Sequence, residues 1–255
     1  MSINQTIAHV VRAIESAPVV GEPFCHLQLA EVFPASLYAS MLEAMPVPSD
    51  YRRMSGRTRS TRTPDGGGTR TKLDLFPEYI GHLPLQKRNV WGVVGQAVCS
   101  MDVREAFRQR LARGLERRFG PRYGQVGLYP IPILTRDVAG YGIGVHPDTP
   151  WKGMTIQLYL PKDRSVEHVG TVFHRRTDDH EFERALQMSF SPNTGYAFAV
   201  GEDTYHSVDT VGPEVTTRDS ILLTYFVDQT PLQKLRNRGK RLGNWLLNEW
   251  RHVGT

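Results

Sequence analysis

The pattern of hydrophobic positions changes along the chain near residue 124. Before that point, apolar residues recur at intervals of three and four, which is typical of amphipathic helices. After it, short apolar segments rich in β-branched and aromatic residues alternate with Gly, Pro and Asp clusters, as expected for strands joined by turns. We therefore expect one domain with a helical part over 1–120, a β core over 125–228 and a final helix over 231–251.

Three helices are predicted before residue 124. Each has an apolar stripe at helical spacing and is followed by proline or glycine, the residues that commonly end a helix. The predicted helices are Thr6–Ser16, a segment that follows Pro34, and Asp102–Gly120, with Asp102 as the cap.

A further helix is predicted after Thr230, because threonine is a favoured cap and the following proline is tolerated in the first turn. Leucines recur along this segment at helical spacing, so we expect one face of the helix to pack against the core. The residues of this face are Leu232, Leu235, Leu242 and Leu246.

Eight short strands are predicted in the β core. Many short strands at this spacing indicate a barrel or a sandwich of two sheets. The predicted strands are Gly127–Leu134, Gly142–His146, Met154–Leu160, Gly170–His174, Gln187–Phe190, Gly195–Val200, His206–Val211 and Ser220–Val227.

Residues 48–72 differ from the rest of the helical part. The segment has almost no aliphatic residues and includes three consecutive glycines, so we interpret it as a long mobile loop. Two interpretations stay open: a solvated basic loop without function, or a lid whose arginines bind a carboxylate or phosphate of the substrate. The arginines are Arg52, Arg53, Arg57, Arg59, Arg62 and Arg70.

Composition narrows the function classes. The 255 residues include only two cysteines, Cys25 and Cys99, too few for a disulfide framework or a thiolate metal site. No secretory signal or membrane-spanning apolar run is evident, so a cytoplasmic protein is expected. The net charge of +5 fits an enzyme with an anionic substrate as well as a polyanion partner, and a dedicated nucleic-acid binder is the less favoured interpretation.

Three residues in the β core could bind a metal. His146 and Asp148 stand two positions apart at the end of a predicted strand, so their side chains project to the same side. His206 begins another predicted strand. Two histidines and one carboxylate on one face of an ion leave the remaining positions open, which suits non-haem iron(II).

An arginine follows the second histidine. In a strand, Arg218, Ser220 and Leu222 share a face, and that face is expected to be buried. An inward-pointing arginine on an apolar strand is costly unless it pairs with an anion. A dicarboxylate co-substrate would supply that anion.

These motifs resemble the 2-oxoglutarate and iron(II)-dependent dioxygenases, and most closely their prolyl-hydroxylase-like branch, over about residues 125–228. Thr171 replaces the second glycine of the family's Gly-Gly strand, and the spacing from His206 to Arg218 is longer than in prolyl hydroxylases, so a prolyl substrate is not implied. The matching segments are His146-x-Asp148, Tyr159-Leu160-Pro161, Gly170-Thr-Val-Phe, Pro192-x-x-Gly, His206-Ser-Val and Arg218-x-Ser220.

The resemblance implies a mainly β fold of the α+β class, a double-stranded β-helix of the cupin-like jelly-roll type with flanking helices. It also implies a dioxygenase that hydroxylates an unactivated C–H bond and releases succinate and CO2. The implied cofactors are Fe(II), 2-oxoglutarate as co-substrate and O2, with ascorbate as a candidate reductant. In that arrangement His146, Asp148 and His206 hold iron, and Arg218 binds the far carboxylate of 2-oxoglutarate with Ser220 and Tyr159.

The substrate is less constrained. A small anionic metabolite or amino acid is favoured, a protein or carrier-bound side chain is the alternative, and a non-catalytic β-barrel binding module is the third possibility. Arg136, Trp151 and His174 are candidate substrate contacts, although a core or surface role would explain each of them too.

Overall fold

In the computed structural model, the described residues are 2–54 and 68–252, and they form six α-helices and twelve strands. The helices are α1 Ile3–Ser16, α2 Ala35–Glu43, α3 Leu85–Val98, α4 Met101–Arg110, α5 Ala112–Phe119 and α6 Pro231–His252. The strands are β1 Val19–Val20, β2 His26–Leu29, β3 Arg52–Arg53, β4 Arg70–Asp74, β5 Leu128–Asp137, β6 Ile143–His146, β7 Lys152–Tyr159, β8 Val172–Arg176, β9 Phe182–Gln187, β10 Gly195–Ala199, β11 His206–Val208 and β12 Arg218–Val227.

The strands form two antiparallel sheets. The larger has the order β1-β2-β10-β7-β12-β5-β4-β3, and the smaller has the order β6-β11-β8-β9. From β5 to β12 the chain passes back and forth between the sheets, with β5, β7, β10 and β12 in the larger one and the other four in the smaller. This is the predicted jelly roll, and the α+β class is confirmed.

The two faces of the larger sheet have different neighbours. On the outer face, residues such as Ile156, Leu158 and Leu223 join one buried apolar cluster with helix residues that include Trp91 and Phe107. On the inner face, aromatic residues of both sheets form a second cluster between the sheets. The alternation of strand side chains thus separates a helix-covered core from an interior that contains the site described below.

Two helices replace the predicted Asp102–Gly120 helix. Leu111, fully buried at φ −97° and ψ 13°, ends α4 and precedes α5. The cap of α4 is Ser100 and not Asp102. The Ser100 hydroxyl accepts a hydrogen bond from the Val103 amide at 3.3 Å. Gly120 ends α5 at φ 75° as predicted. An unbroken apolar stripe therefore does not require an unbroken helix.

Helix α3 was not predicted, because its two glycines weaken the helical pattern. Gly95 is required by packing: a Cβ atom there would lie 2.0 Å from the Leu75 carbonyl oxygen. The helix thus approaches the chain before it closely enough to bury Trp91 completely.

The expectation that the leucines of α6 face the core is wrong. They are among the most exposed large apolar residues, at 76, 70, 56 and 54% for Leu232, Leu235, Leu242 and Leu246. The opposite face contacts the rest of the protein instead, through Arg241 to Glu78 at 2.9 Å and Asn237 to the Val227 carbonyl at 3.1 Å. Helical spacing shows which residues share a face, but not which face packs.

The described residues at both ends of the segment 48–72 include strands, which corrects the prediction of one long loop. Strands β3 and β4 pair, with Arg52 opposite Lys72, and Arg52 bonds the buried Asp74. Residues 55–67, with Arg57, Arg59 and Arg62, lie outside the described residues, and so does that part of the predicted lid.

The predicted strand Gln187–Phe190 is also wrong in position. Strand β9 ends at Gln187 and pairs with β8, whereas the buried Phe190 follows it. Five of the six residues of β9 are exposed, and its apolar residues Phe182, Ala185 and Leu186 do not alternate with polar ones, so the sequence lacks the pattern of a half-buried strand. None of the helices in the described part of the chain is long and apolar enough to cross a membrane.

Candidate metal centre

Strand pairing brings the three predicted metal ligands together. His146 ends β6, His206 begins β11, and the two residues are directly opposite one another in the antiparallel pair. Asp148 follows two residues after His146. One nitrogen of each imidazole and one carboxylate oxygen of Asp148 all lie within 4.8 Å of one another, close enough for one ion to contact all three.

Backbone carbonyls orient both imidazoles. Nδ1 of His146 bonds the Gly144 carbonyl at 2.8 Å, and Nδ1 of His206 bonds the Thr204 carbonyl at 3.0 Å. Each Nδ1 must therefore carry a hydrogen, so in the neutral form of each imidazole it is Nε2 that has the lone pair a metal ligand requires. Burial lowers the pKa of His206 to about 4, more than the nearby Asp148 carboxylate raises it, so this imidazole is neutral at neutral pH.

Two side chains hold the Asp148 carboxylate. Thr155 donates its hydroxyl to Oδ2 at 2.6 Å, and the Lys152 ammonium donates to Oδ1. Burial alone would raise the pKa of Asp148, but Lys152, His206 and the two hydrogen bonds together hold it well below its usual range. The donor set is thus one carboxylate with two imidazoles, which fits iron(II).

A cavity of about 290 Å³ adjoins the three residues. All three contribute to its wall, together with Arg70, Tyr141, Lys152, Gln157, Thr171, Tyr196 and Leu222. A second cavity, of about 760 Å³, also includes Asp148 in its wall and carries Arg117 and Arg118. The candidate metal centre therefore borders two cavities: the smaller has Arg70 and Lys152 in its wall, and in the larger Glu202 and Asp203 accompany the two arginines.

A hydrogen-bonded chain of polar side chains lies behind the smaller cavity. The Gln157 amide donates to the Ser220 hydroxyl at 2.9 Å and accepts from the Tyr196 hydroxyl at 2.7 Å. The Tyr159 hydroxyl donates to the Thr171 hydroxyl at 3.1 Å. Ser220 and Tyr159 are fully buried in this chain, and Gln157, Thr171 and Tyr196 are the members that reach the cavity wall.

Arg218 points inward, as its place in the strand predicted, and is completely buried. Its Nη1 donates to Oδ2 of Asp137 at 2.9 Å and its Nε to the Val169 carbonyl at 2.7 Å. Its Nη2 has no partner among the described residues. The anion that pairs with this arginine in the protein is therefore Asp137, and Nη2 remains for a further acceptor.

Asp137 also binds a second arginine. Arg70 donates Nε to Oδ1 at 2.5 Å and Nη2 to Oδ2 at 2.8 Å. The register explains this, because Asp137 of β5 lies between Arg70 of β4 and Arg218 of β12. The sequence pointed to Arg70 only as one of the loop arginines and did not point to Asp137 or Tyr141, since only the pairing of distant strands brings these residues together.

The three candidate substrate contacts lie outside the wall of the smaller cavity. Arg136 is on the other face of β5 from Asp137 and pairs with Asp219 at 2.7 Å. Trp151 is 43% exposed, with Arg236 over its ring at 5.7 Å. His174 is buried in β8, where its Nε2 and the Ser207 hydroxyl are 2.8 Å apart.

Comparison with solved structures shows likeness in fold. The non-heme alpha ketoglutarate dependent epimerase SnoN from nogalamycin biosynthesis has a TM-score of 0.51 and 13% identity, over 88% of this chain and 82% of its own. A Pseudomonas putida prolyl-4-hydroxylase has a TM-score of 0.49 and 16% identity, over 87% and 99%. No protein-family model matches the chain, and neither does any curated protein. The likeness to SnoN agrees with the fold that the sequence resemblance implied.

Proposed function

We propose that this protein is an iron(II)- and 2-oxoglutarate-dependent oxygenase. The observation that carries the proposal is the convergence of His146, Asp148 and His206 within 4.8 Å beside a cavity of about 290 Å³. A metal with two imidazoles and one carboxylate on one face keeps its other positions for ligands and dioxygen. When bound, iron(II) supplies dioxygen activation coupled to oxidation of 2-oxoglutarate to succinate and CO2.

The protein's own residues would bind the metal, hold its ligands in orientation and exclude water from the site. The Gly144 and Thr204 carbonyls fix the two imidazoles, and Thr155 fixes the carboxylate, so the three ligands need little reorganisation to receive an ion. Aromatic residues packed between the two sheets keep water from the inner side of the site. No side chain has to act as an acid or base in this scheme, because the bound group performs the bond breaking.

We place the co-substrate in the smaller cavity. Its far carboxylate would be bound by Arg218, whose Nη2 lacks a partner, assisted by the hydroxyl groups of Ser220 and Tyr159. Support comes from their burial and their place behind the cavity wall, where Gln157 and Thr171 link them to it. A buried donor without a partner is costly, and a ligand oxygen would remove that cost.

For the substrate, we propose a small anionic metabolite or amino acid that is hydroxylated at an unactivated C–H bond. The smaller cavity is near the lower limit of about 300 Å³ for small-molecule sites and would also hold the co-substrate, so only a small group of the substrate fits beside it. Arg70 and Lys152 in the wall of the smaller cavity favour a ligand with negative charge. The larger cavity adds no such support, because Arg117 there pairs with Asp203 at 2.5 Å. A protein or carrier-bound side chain is the alternative that the experiment below separates.

The test is aerobic incubation with iron(II), ascorbate and 2-oxoglutarate, with succinate as the readout. We expect succinate above background without substrate, and a further increase with one member of a panel of free amino acids. A larger increase with peptides would replace the small-molecule proposal by the protein-side-chain alternative. If there is no succinate and no binding of iron or 2-oxoglutarate, the oxygenase proposal fails and a non-catalytic binding module replaces it.

A further inference from the structure

The two arginines that share Asp137 leave a positive charge inside the protein. Asp137 and Arg218 have no exposed side-chain area, and that of Arg70 is 14% exposed. Two guanidinium groups and one carboxylate sum to one excess positive charge. A buried charge without compensation is strongly unfavourable, so this cluster favours one further anion.

Two neighbouring polar atoms also lack partners. The hydroxyl of Tyr141 and Nη2 of Arg218 are buried and make no hydrogen bond to any described residue. Tyr141 lines the cavity together with Arg70, and the Arg70 guanidinium lies 4.2 Å from the centre of its ring. Burial raises the pKa of Tyr141 to about 12, so its hydroxyl keeps its proton and can donate.

We propose that Arg70 and Tyr141 form a carboxylate-binding site in the wall of the smaller cavity. Asp137 takes Nε and Nη2 of Arg70 and so fixes the plane of the guanidinium, while Arg218 fixes Asp137 from the other side. Asp137 is a positioning residue in this arrangement. A carboxylate there receives a charged donor and a hydroxyl donor, and both are held in place before the ligand arrives.

This inference rests on the proposed function only for the origin of the carboxylate, which belongs either to 2-oxoglutarate or to the organic substrate. The proposed site differs from the carboxylate site expected at Arg218, Ser220 and Tyr159. Its arginine, Arg70, comes from β4, a strand that precedes the jelly roll. Binding of a simple dicarboxylate tests the site without reference to catalysis. Glutarate is suitable because it lacks the 2-oxo group that would chelate iron.

The experiment compares the wild type with Arg70→Gln and Tyr141→Phe. Calorimetry measures the binding of glutarate to the metal-free protein, of 2-oxoglutarate to the manganese-loaded protein, and of the amino-acid panel to the protein loaded with both. We expect each variant to weaken at least one of these ligands by about 10-fold or more, as for loss of a charge-assisted hydrogen bond. Loss with 2-oxoglutarate assigns the carboxylate to the co-substrate, and loss confined to the panel assigns it to the substrate.

Tyr141→Phe separates binding from structure. The hydroxyl has no partner among the described residues, so a merely structural Tyr141 predicts an unchanged or raised melting temperature and unchanged binding. Arg52→Gln is the matched control for Arg70, because Arg52 lies in the same hairpin, pairs with Asp74 at 2.5 Å and has 12% side-chain exposure, but does not line the cavity.

Two results would overturn the inference: wild-type binding of all three ligands in both variants, or the same loss in Arg52→Gln as in Arg70→Gln. The proposed function has a different criterion. The wild type could bind glutarate through Arg70 and yet bind neither iron(II) nor, in the presence of iron(II), 2-oxoglutarate. In that case the oxygenase proposal fails while the carboxylate site stands.

Discussion

The two faces of the larger sheet are both buried, but the inner one carries hydrogen-bonded polar side chains beside its aromatic residues. Ile156 and Leu223 on the outer face are completely enclosed by other apolar groups. On the inner face of the same strands, Thr155, Gln157 and Ser220 are enclosed as well, but each is hydrogen-bonded to another side chain. Burial alone therefore does not mark the site, whereas the kind of group that is buried does.

The two faces also differ in what they contribute to the free energy of folding. Each apolar side chain on the outer face contributes about 25 cal/mol per Å² of area removed from water. Each polar group on the inner face must first recover the cost of leaving water, and does so through its partner. The outer face should therefore control stability, and the inner face should control ligand binding.

The largest effect is expected from the metal ligands. His206→Ala should weaken iron(II) binding by more than about 100-fold, because loss of a residue that only supports a ligand already costs 10- to 100-fold. Succinate formation should be abolished. Anaerobic titration with iron(II) and the succinate assay measure the two effects.

His174→Gln is the control for that variant. His174 is a buried histidine of the same sheet that bonds Ser207, and it is not one of the three clustered residues. It should retain iron binding within about 10-fold of wild type. Equal losses in the two variants would mean that the histidines matter for folding and not as ligands.

Two consecutive leucines give a direct test of the difference between the faces. Leu223 is fully buried against the helices, whereas Leu222 lines the smaller cavity. Leu223→Ala should lower the free energy of unfolding by about 3 kcal/mol and leave 2-oxoglutarate affinity unchanged. Leu222→Ala should cost less stability but change that affinity. Urea denaturation and calorimetry report the two quantities, and a reversed order would refute the division of roles.

The sequence predicted those parts of the site that depend on neighbouring residues. His146 and Asp148 share a side because they are two positions apart in an extended segment, and Arg218, Ser220 and Leu222 follow the same alternation. The resemblance to a known family supplied the order of the blocks, and so linked His206 to the other two. The jelly-roll fold follows from that order and from the short strands after residue 124.

Contacts between distant segments could not be predicted in this way. Asp137 meets Arg70 and Arg218 only because β4, β5 and β12 pair in a particular register, and no local pattern encodes that register. The same reason explains why the leucines of α6 were wrongly expected to face the core. Whether they or Asn237 are buried depends on which face of the helix packs against the rest of the protein. An inward arginine indicates that an anion is present, but not whether the anion is a ligand or a side chain.

The smallest expected effect is on metal affinity, when a residue that orients a metal ligand is replaced. Thr155→Val removes the 2.6 Å hydrogen bond to Oδ2 of Asp148 with little change in shape, so metal affinity should fall by about 10-fold. Thr135→Val is the matched control, because the Thr135 hydroxyl is also buried on the inner face but bonds Ser220 at 2.9 Å. Titration with manganese(II) should show the loss in the first variant alone. If both variants bind the metal like the wild type, Lys152, which also bonds Asp148, is sufficient to orient the carboxylate.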